Sequence, residues 1–403
     1  MALSIGKRRP KPLAKTADVP RVYFSVSSEG YGHSSRALSL VNQVDADQLM
    51  VGSYGYALDR LKHHDVQTSQ IPREFKMVGR HGVFNVEETI FQNQSAFFNF
   101  NQVVQFEKAI IEDFGATLVV ADGRIAPVIA ASSLGLPSVV ITNQTEFFPF
   151  FKHDSPFVKL FGKSFEWWLR YWFSYADEIL IPDFYPPNTV CLHNLSPSFH
   201  VKKRTRFTGP LVPWGVNEVE PVCRPEGYDR YVVVSLGGHA FRRPLLEAVM
   251  QVAGAFPNVY FELLTSLQVR DMPPNVGHQG LVLDSAPFFK AADFVITQAG
   301  HSTAMELITL GTPSIVVPDR SQIEQENNAR RLVDLGVSVQ VRYDELEARL
   351  ARSIGLMMSG SMLHRDSIYH QRCRKMAQDS QSINGRQTMA TILNEYAHRL
   401  LTY

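Results

Sequence analysis

The chain has 403 residues, of which 45% are hydrophobic and 20% are charged, a composition typical of globular proteins. This length exceeds one ordinary hydrophobic core, so we expect two domains. The net charge of +1 gives no general attraction for nucleic acid, and no nucleic-acid partner is predicted.

The N-terminal segment is basic, and we expect residues 1–20 to form a disordered arm. It lacks the apolar stretch of a signal peptide, and no run of about 18 apolar residues predicts a membrane span. The 3 cysteines have no metal-ligand spacing, as expected for free thiols in a reducing compartment. We therefore expect a cytoplasmic protein, with peripheral contact to the inner membrane face left open.

The first domain, expected over residues 21–210, opens with an apolar strand at residues 22–26. A glycine loop follows, and a helix begins at Ser34. Four residues of this region are candidates for lining a cleft: Gly30, Gly32, His33 and Arg36. A dinucleotide fingerprint would need Gly or Ala at Ser35 and an acid after the second strand, so no nicotinamide or flavin cofactor is predicted.

Further strands of this domain are predicted at residues 116–121, 138–142 and 176–182. The first of them ends at Asp122. Ligands bind outside the carboxyl ends of strands in open parallel sheets, so we expect Asp122 and Arg124 to face the cleft. A loop ion pair accounts for these two residues equally well.

Aromatic residues crowd residues 147–173, with lysines and an arginine between them. Such a helix can lie in the membrane interface with its lysines toward the headgroups. We favour a place in the core for most of these rings, with the lysines facing water. Whether some of these rings contact lipid is left open.

The second half repeats the opening pattern after a proline-rich linker at residues 211–226. The second domain is expected over residues 227–381, with a glycine loop at Gly237 and Gly238. Its predicted strands include residues 231–235, 259–264 and 281–283. Two halves that share the order strand, glycine loop and helix are expected to face each other across a cleft.

Residues 292–336 carry the most informative motif. A strand at residues 294–297 is followed by Gly300, and a helix then begins whose free backbone N–H groups can hold phosphate. These N–H groups belong to His301, Ser302 and Thr303. Glu306 lies one turn further on, where a carboxylate can reach the hydroxyl pair of a ribose. Glu324 and Gln325 suit sugar hydroxyls, so the motif describes a nucleotide-sugar pocket.

This motif resembles the donor-binding signature of GT-B glycosyltransferases, especially the peptidoglycan lipid II group and the UDP-glucuronosyl and plant glucosyltransferase group. The matching positions are Gly300, Thr303, Glu306, Gly311, Pro313, Glu324, Gln325, Asn328 and Ala329. The resemblance implies two Rossmann-like, doubly wound α/β domains. It also implies that Glu306 binds the ribose and that Glu324 and Gln325 bind the donor sugar. The family carries Asp or Gln where Glu324 stands, so the sugar is left open.

Other segments carry the same resemblance. The pattern Gly30-x-Gly32-His33-x-x-Arg36 is similar to the first glycine loop of this group, and Gly237-Gly238 is similar to the loop at the donor diphosphate. Pro287-Phe288 matches the loop that meets the base, which implies a UDP-sugar. The last helix of GT-B proteins crosses back to the first domain, and we expect residues 382–403 to do so.

His33 is the candidate for the catalytic base. Inverting transfer is a direct displacement, so the attacking hydroxyl must lose its proton, and a positioned base contributes about 10²–10⁴-fold. The start of a helix favours the neutral imidazole that this role needs. Helix capping or a contact to the donor phosphate accounts for His33 equally well, and Glu29 and Asp122 are reserve bases.

The prediction is therefore a glycosyltransferase that moves a sugar from a nucleotide sugar to a sugar or lipid-linked acceptor. No metal is predicted, because backbone amides after Gly300 can stabilise the departing diphosphate. Asp45 and Asp47 are spaced as in metal-using glycosyltransferases but are expected in a solvated turn. Two alternatives stay open: a UDP-sugar 2-epimerase or hydrolase of the same fold, and a non-catalytic sugar-nucleotide-binding subunit. The presence of both His33 and Glu306 favours an enzyme.

Overall fold

The computed structural model describes residues 19–29, 32–44, 48–76, 78–80, 83–151, 155–238, 242–359 and 367–398. The predictions for residues 1–18, for Gly30 and for the pair Asp45 and Asp47 therefore lie outside the described residues. The described part contains two parallel sheets, each flanked by helices.

The first sheet has seven strands in the order β3-β2-β1-β6-β7-β8-β9, and all adjacent pairs are parallel. Its strands are β1 (Arg21–Val26), β2 (Gln48–Ser53), β3 (Thr68–Gln70), β6 (Leu118–Asp122), β7 (Ser138–Ile141), β8 (Glu178–Ile181) and β9 (Thr205–Phe207). A separate antiparallel pair consists of β4 (Gly79–Arg80) and β5 (Val83–Phe84).

Helices cover both faces of the first sheet. Phe24 of β1 packs on one face with Leu40, whereas Tyr23 packs on the other face with Ile111 and Ala130. Burial on both faces explains why these strands are continuous apolar runs. The helices of this unit are α1 (Gly32–Val41), α2 (Gly55–Lys62), α3 (Val86–Gln92), α4 (Gln94–Phe114), α5 (Ala126–Leu134), α6 (Pro156–Phe173) and α7 (Phe199–Lys202).

The second sheet has six strands in the order β12-β11-β10-β13-β14-β15, again all parallel. Its strands are β10 (Arg230–Gly237), β11 (Val259–Thr265), β12 (Val276–Gly280), β13 (Phe294–Thr297), β14 (Ser314–Val316) and β15 (Ser338–Gln340). Its helices are α8 (Arg243–Ala253), α9 (Ala286–Ala291), α10 (His301–Leu310), α11 (Ile323–Asp334), α12 (Leu346–Met358) and α13 (Ile368–Gln381).

Both sheets reverse their strand order beside their first strand. In the first sheet β1 lies between β2 and β6, and in the second β10 lies between β11 and β13. Such reversals open a crevice at the carboxyl ends of the strands, where ligands bind. The prediction of two doubly wound parallel α/β units is confirmed, while the exact domain bounds stay predictions.

One predicted strand is wrong. The sequence predicts a strand at residues 281–283, but β12 ends at Gly280. Leu281 and Leu283 are exposed and line the space between the two sheets. A short apolar run that forms the wall of a cleft has the same pattern as a buried strand.

Most rings of the aromatic segment are packed together, as we favoured. Phe165 stacks on Phe161 and on Trp168 with ring centroids 6.0 Å apart in both pairs. Phe157 and Trp167 are the exceptions, with exposed fractions of 68% and 69%. Within the described ranges, no helix has the length and apolar character needed to cross a bilayer.

The two units share a buried interface, formed by a segment after β8. We call residues 183–196 the docking segment. Its Phe184 and Val190 pack with Ile308 of α10 and Leu332 of α11. The docking segment belongs to the first unit in sequence but completes a core of the second.

The last helix, α14 (Gly385–His398), returns to the first sheet. Its Met389, Ile392 and Leu393 pack with Val26 and Leu180 in the core of that sheet. The expected crossing helix at residues 382–403 is thus described from Gly385 to His398, and residues 399–403 lie outside the described part. Helix α14 therefore completes the core of the first sheet.

We expect Leu393→Ala to destabilise the protein by about 2–5 kcal/mol, because this fully buried side chain leaves a cavity. Chemical denaturation followed by circular dichroism measures the loss. Glu395→Ala, at an exposed position of the same helix, is the control and should change stability by less than about 0.5 kcal/mol. Equal effects of the two variants would contradict the packing of α14 on the first sheet.

Candidate active site

A cleft of about 590 Å³ lies between the two sheets. Residues at or just beyond the carboxyl ends of β1, β10 and β13 line it, so it occupies the strand-order reversals of both sheets. The cleft brings together eleven of the predicted site residues: Gly32, His33, Arg36, Gly237, Gly300, His301, Ser302, Thr303, Glu306, Glu324 and Gln325.

Helix α10 points its N-terminus into the cleft. Gly300 precedes it with extended backbone and no side chain caps the helix start. The first N–H groups of an α-helix have no partner within the helix, and they carry the positive end of its dipole. Gly311 ends the helix in the left-handed conformation, with a φ of 76°, which favours glycine at this position. The start of α10 can therefore hold an anion.

His33, in the first turn of α1, is paired with a buried carboxylate. Its Nδ1 lies 2.8 Å from Oδ1 of Asp122, the last residue of β6. His33 is 21% exposed and lines the cleft, whereas Asp122 is 2% exposed and lies behind it. This pairing leaves Nε2 of His33 as the nitrogen that can exchange a proton with a ligand.

Arg36 neutralises this carboxylate. Its Nε donates to Oδ2 of Asp122 at 2.8 Å and its Nη2 donates to Oδ1 at 2.6 Å. Burial alone would raise the pKa of Asp122, but the charges of Arg36 and His33 outweigh it and lower the pKa to about 2. Asp122 is therefore ionised at neutral pH, which disfavours its reserve role as a base.

The starts of α1 and α10 meet across the cleft. Nη1 of Arg36 donates to Oγ of Ser302 at 3.3 Å. A side chain at position 32 would collide with the same hydroxyl, so the close approach of α1 to Ser302 needs a glycine there. Two helix N-termini thus converge on one point, next to His33.

Glu306 lies in the first turns of α10, where the resemblance places a ribose-binding carboxylate. Its side chain is partly buried and lines the cleft. Desolvation raises the pKa of Glu306 to about 7, partly opposed by the charge of Arg60 and supported by that of Asp284. A carboxylate with few polar partners in the free protein is available to accept hydrogen bonds from a ligand.

The two residues predicted to bind the donor sugar differ in their surroundings. Oε1 of Glu324 accepts from Nδ2 of Asn143, in the first unit, at 2.7 Å. Gln325 is buried, and its amide is used by Asp319: Oε1 accepts from the main-chain N–H at 2.8 Å, and Nε2 donates to the carboxylate at 3.2 Å. Glu324 is thus accessible to a ligand, while Gln325 orders the loop beside it.

Among the described residues, Gly238 and Asp122 do not line the cleft that they were predicted to line, although Asp122 is hydrogen-bonded to His33. Arg124 also differs from expectation. It is buried behind the cleft, where its Nη2 donates to Oε1 of Glu107 at 2.9 Å. Its alternative reading as part of an ion pair is the one that the structure shows.

Several cleft residues were not found by sequence reasoning. They are Arg60, Arg73, Lys76, Asn143, Arg242 and Asp319. The predicted base-binding pair, Pro287-Phe288, lies within α9, and the preceding residues 281–285 line the cleft instead. The sequence gives only a weak indication that the basic residues line the cleft: each of them follows a strand or lies in the next helix. Glu29, a reserve base, is paired with Arg73 at 2.9 Å.

Asp183, Cys191 and His301 form a buried cluster whose donor atoms lie within 4.8 Å of one another. Nε2 of His301 lies 3.0 Å from Oδ2 of Asp183, which also accepts from the N–H of Cys191 at 2.7 Å. Oδ1 of Asp183 accepts two further main-chain N–H groups. The carboxylate is satisfied by protein donors, so the cluster serves to tie the start of α10 to the docking segment.

Comparisons with known proteins agree with this architecture. The model of the glycosyltransferase family 28 C-terminal domain matches residues 265–379, and that of glycosyl transferase family 1 matches residues 20–191. A Methanosarcina mazei protein named as an uncharacterized glycosyltransferase is 30% identical over 334 residues, which cover 80% of this chain and 86% of the relative. The chain therefore belongs to the GT-B glycosyltransferases.

Two further proteins are similar. The UDP-N-acetylglucosamine–N-acetylmuramyl-(pentapeptide) pyrophosphoryl-undecaprenol N-acetylglucosamine transferase of Listeria monocytogenes is 26% identical over 289 residues, covering 65% of this chain and 72% of the relative. The crystal structure of the glycosyltransferase of kitacinnamycin aligns with a TM-score of 0.70 and 17% identity, covering 96% of this chain and 100% of that one. The latter likeness shows the fold.

We expect Glu306→Gln to stabilise the free protein at alkaline pH. The folded-state pKa of about 7 exceeds the ordinary value of 4.5. The stability that the neutral Glu306 carboxyl contributes to the wild type is therefore fully present below about pH 4.5 and is lost as the pH rises through 7. The variant lacks this loss, and its advantage should grow by about 1–3 kcal/mol between pH 5 and 8. Urea denaturation at both pH values measures it.

The matched control for this experiment is Glu247→Gln, which changes an exposed carboxylate on α8. It should have the same pH dependence of stability as the wild type. Parallel pH dependences for Glu306→Gln and the wild type would contradict the assigned desolvation of Glu306.

Proposed function

We propose that the protein is an inverting, metal-independent glycosyltransferase that uses a UDP-sugar and a lipid-linked hydroxyl acceptor. One observation carries this proposal: the free N-terminus of α10 faces the His33–Asp122 pair across a single cleft. An anion-binding helix start opposite a potential base is the arrangement that direct displacement of a diphosphate needs.

The second unit would hold the donor. Backbone N–H groups at His301–Thr303 would bind the diphosphate and stabilise the charge that develops as it departs, a role that needs no ion. Glu306 would accept from the ribose hydroxyls, and Glu324 from those of the sugar. The uracil base would lie against residues 281–285.

The first unit would supply the base. In the displacement, the acceptor oxygen bonds to the anomeric carbon as the bond from that carbon to the diphosphate oxygen breaks. The hydroxyl proton passes to Nε2 of His33. Asp122 accepts from Nδ1–H, which fixes the ring and stabilises the imidazolium that forms.

An apolar groove beside the cleft supports a lipid-linked acceptor. It has a volume of about 670 Å³ and is lined mainly by rings, including Phe75, Phe100, Phe165 and Trp168. Phe75 is followed in the chain by Lys76, which lines the cleft. A hydrocarbon chain in the groove would thus bring a polar head toward His33. The Listeria relative, by its name, acts on an undecaprenol-linked substrate.

An exposed stripe of apolar and basic side chains on α6 supports contact with a membrane. Phe157, Leu160 and Trp167 are exposed at helical spacing, and Lys159 and Lys163 are exposed beside them. Rings and an aliphatic side chain can enter the interface while the lysines meet anionic headgroups. We place the peripheral membrane contact here.

Release of UDP from a panel of UDP-sugars, in the presence of EDTA and with or without a polyprenyl-diphosphate-linked sugar, tests the proposed function. We expect release that depends on the acceptor and yields a product of inverted anomeric configuration. Release without acceptor would identify a hydrolase, and tight UDP binding with no turnover would identify a silent binding subunit. Loss of activity in EDTA would contradict metal independence.

We expect His33→Ala to lower kcat by about 10²–10⁴-fold, because the acceptor proton loses its base. The Kd for UDP, measured by calorimetry, should stay within about threefold of wild type, since the donor rests on the other unit. His398→Ala, on the exposed side of α14, is the control. Normal turnover by His33→Ala would remove this residue as the base.

We expect the double variant Phe157→Ser, Trp167→Ser to bind vesicles of phosphatidylcholine and phosphatidylglycerol at least about tenfold more weakly, because each buried ring contributes about 1.5–3 kcal/mol. Vesicle co-sedimentation measures this. Leu356→Ser changes an exposed apolar residue of α12 and is the matched control. Equal binding by the double variant and the control would exclude α6 as the membrane contact.

A further inference from the structure

Three polar atoms meet in a nearly equilateral triangle next to the cleft. Nδ1 of His33 lies 2.8 Å from Oδ1 of Asp122 and 2.7 Å from Nη2 of Arg36. Nη2 itself lies 2.6 Å from Oδ1. The ring nitrogen is therefore within hydrogen-bond distance of an acceptor and of a donor at the same time.

Only one of these two contacts of Nδ1 can be a hydrogen bond at a given moment. In a neutral imidazole, Nδ1 carries either a proton or a lone pair, and both point in the same direction in the ring plane. If Nδ1 carries the proton, it donates to Asp122 and Nε2 is a free base. If Nδ1 carries the lone pair, it accepts from Arg36 and Nε2 carries the proton. The first tautomer can take a proton from an acceptor hydroxyl, and the second cannot.

Arg36 is also the residue through which the opposite side of the cleft reaches this triangle. Its Nη1 donates to Ser302, at the start of α10, and its second Nη1 hydrogen finds no partner among the described residues. Arg36 is 4% exposed, yet it lines the cleft. A diphosphate at the start of α10 would thus lie beside a guanidinium with a donor to spare, and such charge-assisted bonds are the strong ones.

We propose that Arg36 is a positioning residue that makes the tautomer of His33 depend on a bound diphosphate. This inference rests on the proposed function, in which the donor diphosphate binds at α10 and His33 is the base. Without diphosphate, Nη2 donates to Nδ1, and Nε2 carries the proton. With diphosphate, the guanidinium turns toward the phosphate and keeps its Nε bond to Asp122. Nδ1 then carries the proton and donates to Asp122.

The proton balance of this change is neutral. Nε2 releases a proton to water and Nδ1 takes one up, so the charges of the ring, of Asp122 and of Arg36 are unchanged. The chemical consequence is that the base exists only while the donor is in place. Donor binding is thereby required before the acceptor hydroxyl can be activated.

Nitrogen-15 NMR of the histidine rings tests the proposal, because protonated and unprotonated ring nitrogens have clearly different shifts. The signals of His33 are identified by their absence in His33→Gln, and the spectra are recorded at a pH of about 8, where an ordinary imidazole is neutral. The probes are UDP and inorganic pyrophosphate. We expect Nε2–H in the free protein and Nδ1–H with either probe.

Arg36→Met should abolish the response, so that His33 holds the same tautomer with and without pyrophosphate. Arg230→Met removes an arginine that pairs with Asp293, outside the cleft residues, and should retain the response. An unchanged tautomer in the wild type, with pyrophosphate binding shown by calorimetry, would overturn the proposal. So would a failure of both probes to bind. The wild-type titration decides the matter even where Arg36→Met does not fold.

This readout separates the inference from the proposed function. A change of tautomer with pyrophosphate in a protein that turns over no UDP-sugar would refute the proposed function and leave the coupling by Arg36 in place. Turnover of a UDP-sugar with a fixed tautomer of His33 would do the reverse. Arg36→Lys supplies a second readout: kcat should fall at least about tenfold, since lysine keeps the positive charge but lacks the planar fork.

Discussion

The ionised carboxylate of Asp122 organises the floor of the cleft. It ends the central strand β6, where the strand order of the first sheet reverses, and it is withdrawn from water. A buried charge needs a partner, and the bidentate pairing with Arg36 supplies one. This one neutralised charge contacts His33 directly and is connected through Arg36 to Ser302 on the facing helix.

A second pair of the same kind lies nearby and serves a different end. Asp183 follows β8 and holds His301, the first residue of α10, as Asp122 holds His33 near the start of α1. The pair with Asp183 is closed off from water, whereas His33 opens to the cleft. One aspartate–histidine pair thus fixes the two units against each other, and the other is left free for chemistry.

Much of the fold could be predicted because parallel strands buried on both faces are continuous apolar runs, as in β6 and β13. The same rule failed at residues 281–283, where an apolar run forms a cleft wall. The donor motif was readable because its residues are close in sequence. Contacts such as Asp183 with His301 join positions 118 residues apart, and sequence spacing contains no information on them. The hydrogen bond between Asp319 and Gln325 likewise depends on how one loop folds back on α11.

The return of α14 to the first sheet has a consequence for biosynthesis. Residues 21–207 leave the ribosome long before Leu393 and Tyr396, yet their hydrophobic core includes both of these side chains. The nascent N-terminal half therefore exposes apolar surface until α14 has left the ribosome, a period in which chains are prone to aggregate. Premature stop codons anywhere before residue 385 would release a protein whose first unit lacks its closing helix.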